Sequence, residues 1–156
     1  MAALPPWDDL IAGRGCPFCA PRPDVNEYWM KVADLSVSTL YLDRNQTYRG
    51  YCVMVFNPRH VTGIEHLTSA EYVDFFTDLH RVSKAVAKAC NAEHMNYATL
   101  GNVIPHLHYH VIPRKTGDVR WGAPVWTDRL EDMASTKLTD EEYADIIKNI
   151  RAALNP

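Results

Sequence analysis

The sequence predicts an α+β domain in which an antiparallel β-sheet packs against helices. Short apolar runs rich in strand-forming residues are joined by turn sequences, a pattern typical of antiparallel strands. Two capping boxes, Thr68-Ser-Ala-Glu71 and Thr139-Asp-Glu-Glu142, each precede a stretch whose apolar residues recur at helical spacing. No internal repeat or linker divides the 156 residues, so we expect one domain over residues 1–156.

The elements follow in order along the chain. A proline-rich, irregular segment covers residues 16–34 and is predicted to include a short helix from Asn26 to Val32. Beyond it, alternating or continuous apolar residues predict strands, and apolar residues three or four apart predict helices. The predicted bounds are strands at 35–42, 51–56, 95–100 and 106–113, a long helix at 69–89, a loop at 117–126 and a C-terminal helix over 139–155.

Composition and charge restrict the classes of partner. A formal net charge of −3 and the lack of a Lys/Arg cluster argue against a DNA or RNA polymer, although a single nucleotide is compatible with them. Residues 1–15 carry neither a basic start nor an apolar run, so we expect no export signal. No stretch reaches the ~18 apolar residues of a membrane-spanning helix. We therefore expect a cytoplasmic protein without a membrane partner.

The most informative segment, His106-Leu-His-Tyr-His110, alternates histidine with apolar or aromatic residues. Side chains on a strand alternate between its faces, so His106, His108 and His110 should share one face. Histidine titrates near neutral pH and can serve as a nucleophile, an acid or a hydrogen-bond donor. The residues alone are compatible with catalysis and with a metal site built from alternating histidines.

This run resembles the signature of the histidine triad (HIT) family, with the sequence His106-Leu-His108-Tyr-His110-Val-Ile. The resemblance covers residues 16–126 and includes Asn57-Pro-Arg-His60 and Gly101-Asn102. Residues 117–126 are most similar to the branch of fragile-histidine-triad, diadenosine-polyphosphate hydrolases. The fold implied is a sheet of about five antiparallel strands with a long helix and a C-terminal helix.

The resemblance implies nucleotidyl transfer in two steps. His108, the middle histidine, would attack the α-phosphorus of a nucleotide and form a covalent nucleotidyl-histidine intermediate, which water hydrolyses. His110 would hydrogen-bond a phosphate oxygen or the bridging atom. The substrates implied are nucleoside phosphoanhydrides such as diadenosine polyphosphates, or phosphoramidates, and no catalytic metal is required.

Two further residues match family positions that bind substrate. Asp43, which the pattern alone explains equally well as a turn residue, matches the Asp or Asn that holds the ribose hydroxyls. Asn102 matches a polar position that contacts the phosphate. Val103 departs from the family, because Ser or Thr is frequent three residues before the first histidine. Family members usually dimerise, so we also expect a homodimer.

The Cys16-Pro-Phe-Cys19 motif is compatible with a redox dithiol, half of a zinc site or unliganded thiols. A redox motif of the thioredoxin type should open a helix, whereas the prolines here indicate a loop. Some bacterial triad proteins, and the related galactose-1-phosphate uridylyltransferases, pair such cysteines with a histidine after the second strand and with the first triad histidine. The resemblance thus implies one structural zinc ion on Cys16, Cys19, His60 and His106, with His66 a less favoured substitute for His60.

Other functions would use the same residues. A phosphorylase or transferase would form the same intermediate with a different acceptor, and a nucleotide-binding scaffold would need no turnover. A hydrolase with all three histidines on a catalytic metal is disfavoured, since no carboxylate accompanies the triad. In the 117–126 loop, Trp121 and Trp126 are either packing anchors or contacts for the leaving-group side of a dinucleotide.

Overall fold

The computed structural model describes residues 4–126 and 135–155, and these form a five-stranded sheet and three α-helices. The elements are α1 Trp7–Ile11, β1 Trp29–Asp34, β2 Ser38–Asp43, β3 Cys52–Phe56, a 3₁₀ turn Ile64–His66, α2 Ser69–Ala89, β4 His94–Ala98, β5 His108–Arg114 and α3 Asp140–Leu154. The strands lie in the order β1-β2-β3-β5-β4, and all neighbours are antiparallel. The predicted α+β class and the antiparallel sheet are confirmed.

Both long helices begin where the capping boxes predict. The Thr68 side chain accepts from the backbone N–H of Glu71, whose carboxylate accepts from the N–H of Thr68, and Thr139 and Glu142 repeat this arrangement. These bonds satisfy N–H groups that no helical carbonyl reaches, so each helix starts at the next residue. The sequence pattern does not predict α1, which is little more than one helical turn. None of the helices within the described ranges is long and apolar enough to cross a membrane.

The short helix predicted from Asn26 to Val32 is wrong, because β1 forms there instead. The Asn26 side chain accepts from the backbone N–H groups of Tyr28 and Trp29, each at 2.8 Å. An Asn that accepts such bonds suits a helix N-cap and an Asx turn equally, and here it forms the turn. The residues after the turn then pair with β2, from Trp29 opposite Asp43 to Asp34 opposite Thr39, and Val32 is buried in the core.

β2 starts later than predicted, because Asp78 on α2 holds the preceding residues in a turn. The buried Asp78 carboxylate accepts from the backbone N–H groups of Ser36 (3.2 Å) and Val37 (3.0 Å) and from the hydroxyl of Ser38 (2.8 Å). The first residue of β2 is therefore fixed by a side chain 40 positions away in the sequence. The ends of β4 and β5 differ from prediction by one or two residues.

The two faces of the sheet are covered by different parts of the chain. On one face α2 and α3 pack on apolar residues of the strands and on Leu107 just before β5, and the strand residues include Leu40, Leu42, Met54 and Val111. On the other face the segment before β1 contributes to a smaller cluster, formed by Cys16, Phe18, Tyr41 and Val55. The helices therefore leave the second face to the segment that carries the Cys-x-x-Cys motif and to the end of the 117–126 loop, which packs on Ile112 and His110.

Asp78→Ala should lower the free energy of unfolding by about 3 kcal/mol, because two backbone N–H groups and a hydroxyl lose the carboxylate that accepts from them. Asp74→Ala removes an exposed carboxylate from the same helix and should change the free energy of unfolding by less than about 0.5 kcal/mol. Urea denaturation of both variants measures the difference. Similar losses in the two variants would show that the turn before β2 does not depend on Asp78.

Candidate functional site

His108 and His110 project from β5, which is paired on both sides, with β3 and with β4. Their imidazole centroids are 4.9 Å apart in an edge-to-face arrangement. Leu107 and Val111, in contrast, lie in the core under the helices, which confirms the predicted alternation. The central position of β5 holds both histidines on a rigid part of the sheet.

His106 lies just before β5, so the prediction that the strand begins at this residue is wrong. Its N–H donates to the carbonyl of Ile104 (2.8 Å), which closes a tight turn around Pro105 and keeps His106 out of the ladder. Asn102, predicted to bind phosphate, is exposed in the bend before this turn. No hydrogen bond found among residues 4–126 and 135–155 joins Asn102 to the triad.

A backbone hydrogen bond determines which nitrogen of His108 carries its proton. Nδ1 lies 2.6 Å from the carbonyl oxygen of His106. A carbonyl can only accept, so Nδ1 carries the hydrogen and Nε2 of the neutral ring keeps its lone pair. Burial lowers the pKa of His108 from its ordinary 6.5, and the ring of Phe18 packs edge-on against it with centroids 5.3 Å apart. Nε2 is thus available as a nucleophile.

Tyr51 holds the third histidine. Its hydroxyl lies 2.5 Å from Nδ1 of His110, and burial raises the pKa of this phenol well above its ordinary range. Burial, and secondly the repulsion that protonated His108 would exert, lower the pKa of His110 to about 3. A neutral phenol and a neutral imidazole therefore form one hydrogen bond at Nδ1. Nε2 of His110 is left for other contacts. Sequence reasoning missed Tyr51 and Phe18, because both lie far from the triad in the sequence and only the fold brings them to it.

The two tryptophans of the 117–126 loop occupy different places. The Trp126 ring lies against His110, with centroids 4.7 Å apart. Trp121 is 44% exposed, and the guanidinium carbon of Arg114 lies 5.8 Å from the centroid of the Trp121 ring. Trp126 rather than Trp121 therefore contacts the triad.

Asp43 ends β2 beside Tyr51. Its N–H donates to the carbonyl oxygen of Tyr51 (3.1 Å), and its carboxylate accepts from the N–H of Asn45 (2.7 Å). Burial raises the pKa of this carboxyl from 3.8 to about 6, against the opposing effect of the Asn45 hydrogen bond. The backbone of Asp43 is thus bonded to Tyr51, the residue whose side chain holds His110.

The structure brings together all four residues predicted as metal ligands. One ligand atom from each of Cys16, Cys19, His60 and His106 lies within 4.8 Å of the others, and His66 is not part of this group. Sγ of Cys19 is 3.3 Å from Nδ1 of His60 and 3.4 Å from Nδ1 of His106. Sγ of Cys16 is 3.6 Å from Nδ1 of His106. These four residues form the Cys/His group.

Backbone carbonyls orient both histidines of the Cys/His group. Nε2 of His106 lies 2.7 Å from the carbonyl oxygen of Phe56, and Nε2 of His60 lies 3.1 Å from that of Ile11. Each Nε2 must donate, so each Nδ1 keeps the lone pair that faces the thiols. Burial lowers the pKa of His106 to about 4, which keeps its ring neutral. The group can hold a metal ion through two sulfur and two nitrogen atoms.

Comparison with models of known families matches the HIT domain to residues 29–117, more than half of the chain. The chain belongs to the HIT family. The matched segment contains Asp43, His60 and the complete triad, whereas the Cys-x-x-Cys motif and α3 lie outside it. The family assignment made from the sequence is confirmed.

Known relatives agree with this assignment. The bis(5′-nucleosyl)-tetraphosphatase (asymmetrical) of Schizosaccharomyces pombe is 32% identical over 101 residues, 59% of this chain and 56% of the relative. The bis(5′-adenosyl)-triphosphatase of Dictyostelium discoideum is 31% identical over 71 residues, 42% and 48% of the two chains. The matched part of this HIT chain thus spans about half the length of these curated relatives.

A solved structure supports the fold. A histidine triad protein from Bradyrhizobium japonicum superposes on this HIT chain with a TM-score of 0.76 and 26% sequence identity. The superposition covers 88% of this chain and 99% of the other. The histidine-triad fold predicted from the sequence is confirmed.

The carboxyl of Asp43 should make folding stability depend on pH. Its pKa is raised from 3.8 to about 6, so folding favours the protonated form. That contribution is fully present below pH 3.8 and is lost as the pH rises through about 6. Asp43→Asn, which cannot ionise, should gain stability relative to wild type when the pH is raised from about 4 to about 7. Denaturation curves at the two pH values measure this, and a pH-independent difference between the two proteins would contradict it.

Proposed function

We propose that this HIT protein is a nucleotide hydrolase or nucleotidyltransferase that cleaves nucleoside phosphoanhydrides, such as diadenosine polyphosphates, or phosphoramidates. The observation that carries the proposal is the hydrogen bond from Nδ1 of His108 to the carbonyl of His106, which leaves Nε2 with its lone pair. The names of the two curated relatives, a tetraphosphatase and a triphosphatase, support the substrate class.

His108 acts as the nucleophile in the proposed first step. Nε2 attacks the α-phosphorus, a nitrogen–phosphorus bond forms, and the leaving group departs with the electrons of its bond to phosphorus. The positive charge that develops on the ring is stabilised, because Nδ1–H already donates to the carbonyl of His106. In the second step water attacks phosphorus, the bonding electrons return to Nε2, and a proton of the water is released.

His110, Asp43 and Asn102 bind the substrate in this proposal. Because Tyr51 engages Nδ1 of His110, Nε2 is the nitrogen that hydrogen-bonds a phosphate oxygen or the bridging atom. The Asp43 carboxylate accepts from the ribose hydroxyls, and the exposed amide of Asn102 donates to a phosphate oxygen. His110 and Asn102 stabilise the charge that develops on the phosphate, and no catalytic metal is required.

His108→Ala should lower turnover at least ~10³-fold, because the nucleophile is gone, whereas AMP should still bind through Asp43 and His110. His110→Ala should lower turnover by a smaller factor, about 10²-fold, because attack by His108 is still possible. Rates with diadenosine triphosphate, diadenosine tetraphosphate and adenosine phosphoramidate measure both effects.

His80→Ala, which removes an exposed histidine from α2, is the matched control and should keep the wild-type rate. Wild-type turnover by His108→Ala would refute the proposed nucleophile. A nucleotidyl adduct trapped on another residue would refute it as well.

We also propose that the Cys/His group holds one structural zinc ion. A tetrahedral zinc site has sulfur–nitrogen separations of about 3.6 Å, and the observed separations are 3.3, 3.4 and 3.6 Å. Two thiols and two imidazoles fill all four positions, so such an ion stabilises the fold and leaves the chemistry to His108. Its role is to fasten the segment around Cys16 to the residues that flank β3 and β5.

Cys19→Ser should lose the zinc and lower the Tm, while the folded fraction keeps most of its turnover, because metal binding contributes to folding free energy. Cys90→Ser changes a thiol outside the Cys/His group and should keep the zinc. Elemental analysis and thermal melts of both variants measure these outcomes. Wild-type protein that contains no zinc after purification without chelators would contradict the proposal.

The homodimer and the cytoplasmic location stay predictions, as does the absence of nucleic-acid and membrane partners. β4 is an edge strand of the sheet, and its residue Tyr97 is 46% exposed. An edge strand presents unpaired backbone groups, to which a second copy of the chain can add. This edge therefore supports the homodimer as a proposal.

A further inference from the structure

The turn after Asp43 is attached to residues 136–143, which lie beyond the HIT-matched segment. Tyr143 in the first turns of α3 is only 2% exposed. Its hydroxyl donates to the carbonyl oxygen of Arg44 (2.6 Å) and accepts from the N–H of Leu138 (3.2 Å). The Arg44 guanidinium lies over the same ring, 4.8 Å from its centroid. One buried phenol thus joins the residue after Asp43 to the start of α3.

Further hydrogen bonds continue this connection to the carboxylate itself. The N–H of Gln46 donates to the carbonyl of Thr136 (2.7 Å), and the N–H of Thr136 donates to the side-chain oxygen of Asn45 (3.2 Å). On the inner side of the turn, the Gln46 amide donates to the carbonyl of Asp43 (2.7 Å), and the N–H of Asn45 donates to its carboxylate (2.7 Å). The Asp43 carboxylate therefore belongs to a turn whose outer side contacts residues 136–143.

α3 gives this turn a firm support. The buried side chains of α3 lie in the main core with those of α2. The buried residues of α3 are Tyr143, Ile146, Ile147, Ile150 and Leu154. Close packing leaves such side chains little room to shift. The Tyr143 hydroxyl is therefore held in a fixed place relative to the sheet, independently of the turn that it contacts.

We propose that Tyr143 is a positioning residue that holds Asp43 for the ribose of the nucleotide. This inference rests on the proposed function, in which Asp43 accepts hydrogen bonds from the ribose hydroxyls. Tyr143 acts through the carbonyl of Arg44 and does not touch the substrate. Loss of the hydroxyl deprives a backbone carbonyl and the N–H of Leu138 of their partner, so the turn shifts to find replacements. Ribose recognition weakens, while His108 and its chemistry are unaffected.

Calorimetric titration of the full chain with AMP and with 2′-deoxyAMP tests the role of Tyr143. The Asp43→Ala variant is the reference. Its ratio of affinities for AMP and 2′-deoxyAMP is the ratio expected when Asp43 no longer recognises the ribose. Tyr143→Phe keeps the ring over Arg44 and should weaken AMP binding about fivefold, the factor that one neutral hydrogen bond contributes. Its preference for AMP over 2′-deoxyAMP should fall toward that of Asp43→Ala. In turnover of diadenosine triphosphate, the KM of Tyr143→Phe should rise while its kcat is kept. The double variant should bind AMP little worse than Asp43→Ala alone, because both residues act on one contact.

Ile147→Val is the matched control, because it alters the packing of the same helix in the core. It should lower the Tm and keep the preference for AMP. A wild-type preference in Tyr143→Phe, or an equal loss in Ile147→Val, would overturn the role of Tyr143 and leave the proposed function standing. Wild-type protein that binds no AMP would overturn the proposed function itself.

Discussion

Backbone carbonyl oxygens accept hydrogen bonds and cannot donate them, and this constraint sets the proton positions of three histidines. His60 donates to the carbonyl of Ile11, and His106 donates to that of Phe56. His108 donates to the carbonyl of His106. Each contact leaves the opposite ring nitrogen with a lone pair. In His60 and His106 that nitrogen faces the two thiols, and in His108 it is the proposed nucleophile. Burial keeps the rings of His106 and His108 neutral, so neither lone pair is lost to a proton near neutral pH.

The sheet separates packing from chemistry. Alternation along β5 sends Tyr109 and Val111 toward the helices and directs His108 and His110 to the other face. Substitutions in the helix-covered core therefore act mainly on stability, and contacts on the opposite face act on the histidines. The turn after Asp43 is the exception, because α3 reaches it through Tyr143 from the packed side.

The parts of the fold that were predictable from the sequence have local causes. A capping box fixes the start of a helix with residues three apart, and the alternation of His108 with Leu107 follows from strand geometry. Local signals fail where one residue serves two structures equally, as Asn26 does in a helix N-cap and an Asx turn. They also fail where the contact spans the chain. Tyr51 reaches His110 over 59 positions and Tyr143 reaches Arg44 over 99, and no short window of sequence contains both partners.

His106 links the Cys/His group to the proposed nucleophile, since its ring belongs to the group and its carbonyl orients His108. Loss of one thiol need not disturb that carbonyl. The His106 ring stays anchored at Nε2 by Phe56, and its N–H stays bonded to Ile104. The neighbouring Leu107 is bonded to the backbone of Val61 (2.7 Å). The segment around Cys16 reaches His106 through the group itself, since Sγ of Cys16 and Sγ of Cys19 lie 3.6 and 3.4 Å from Nδ1 of His106. We therefore expect the loss of one thiol of this group to affect stability more than the proposed catalysis.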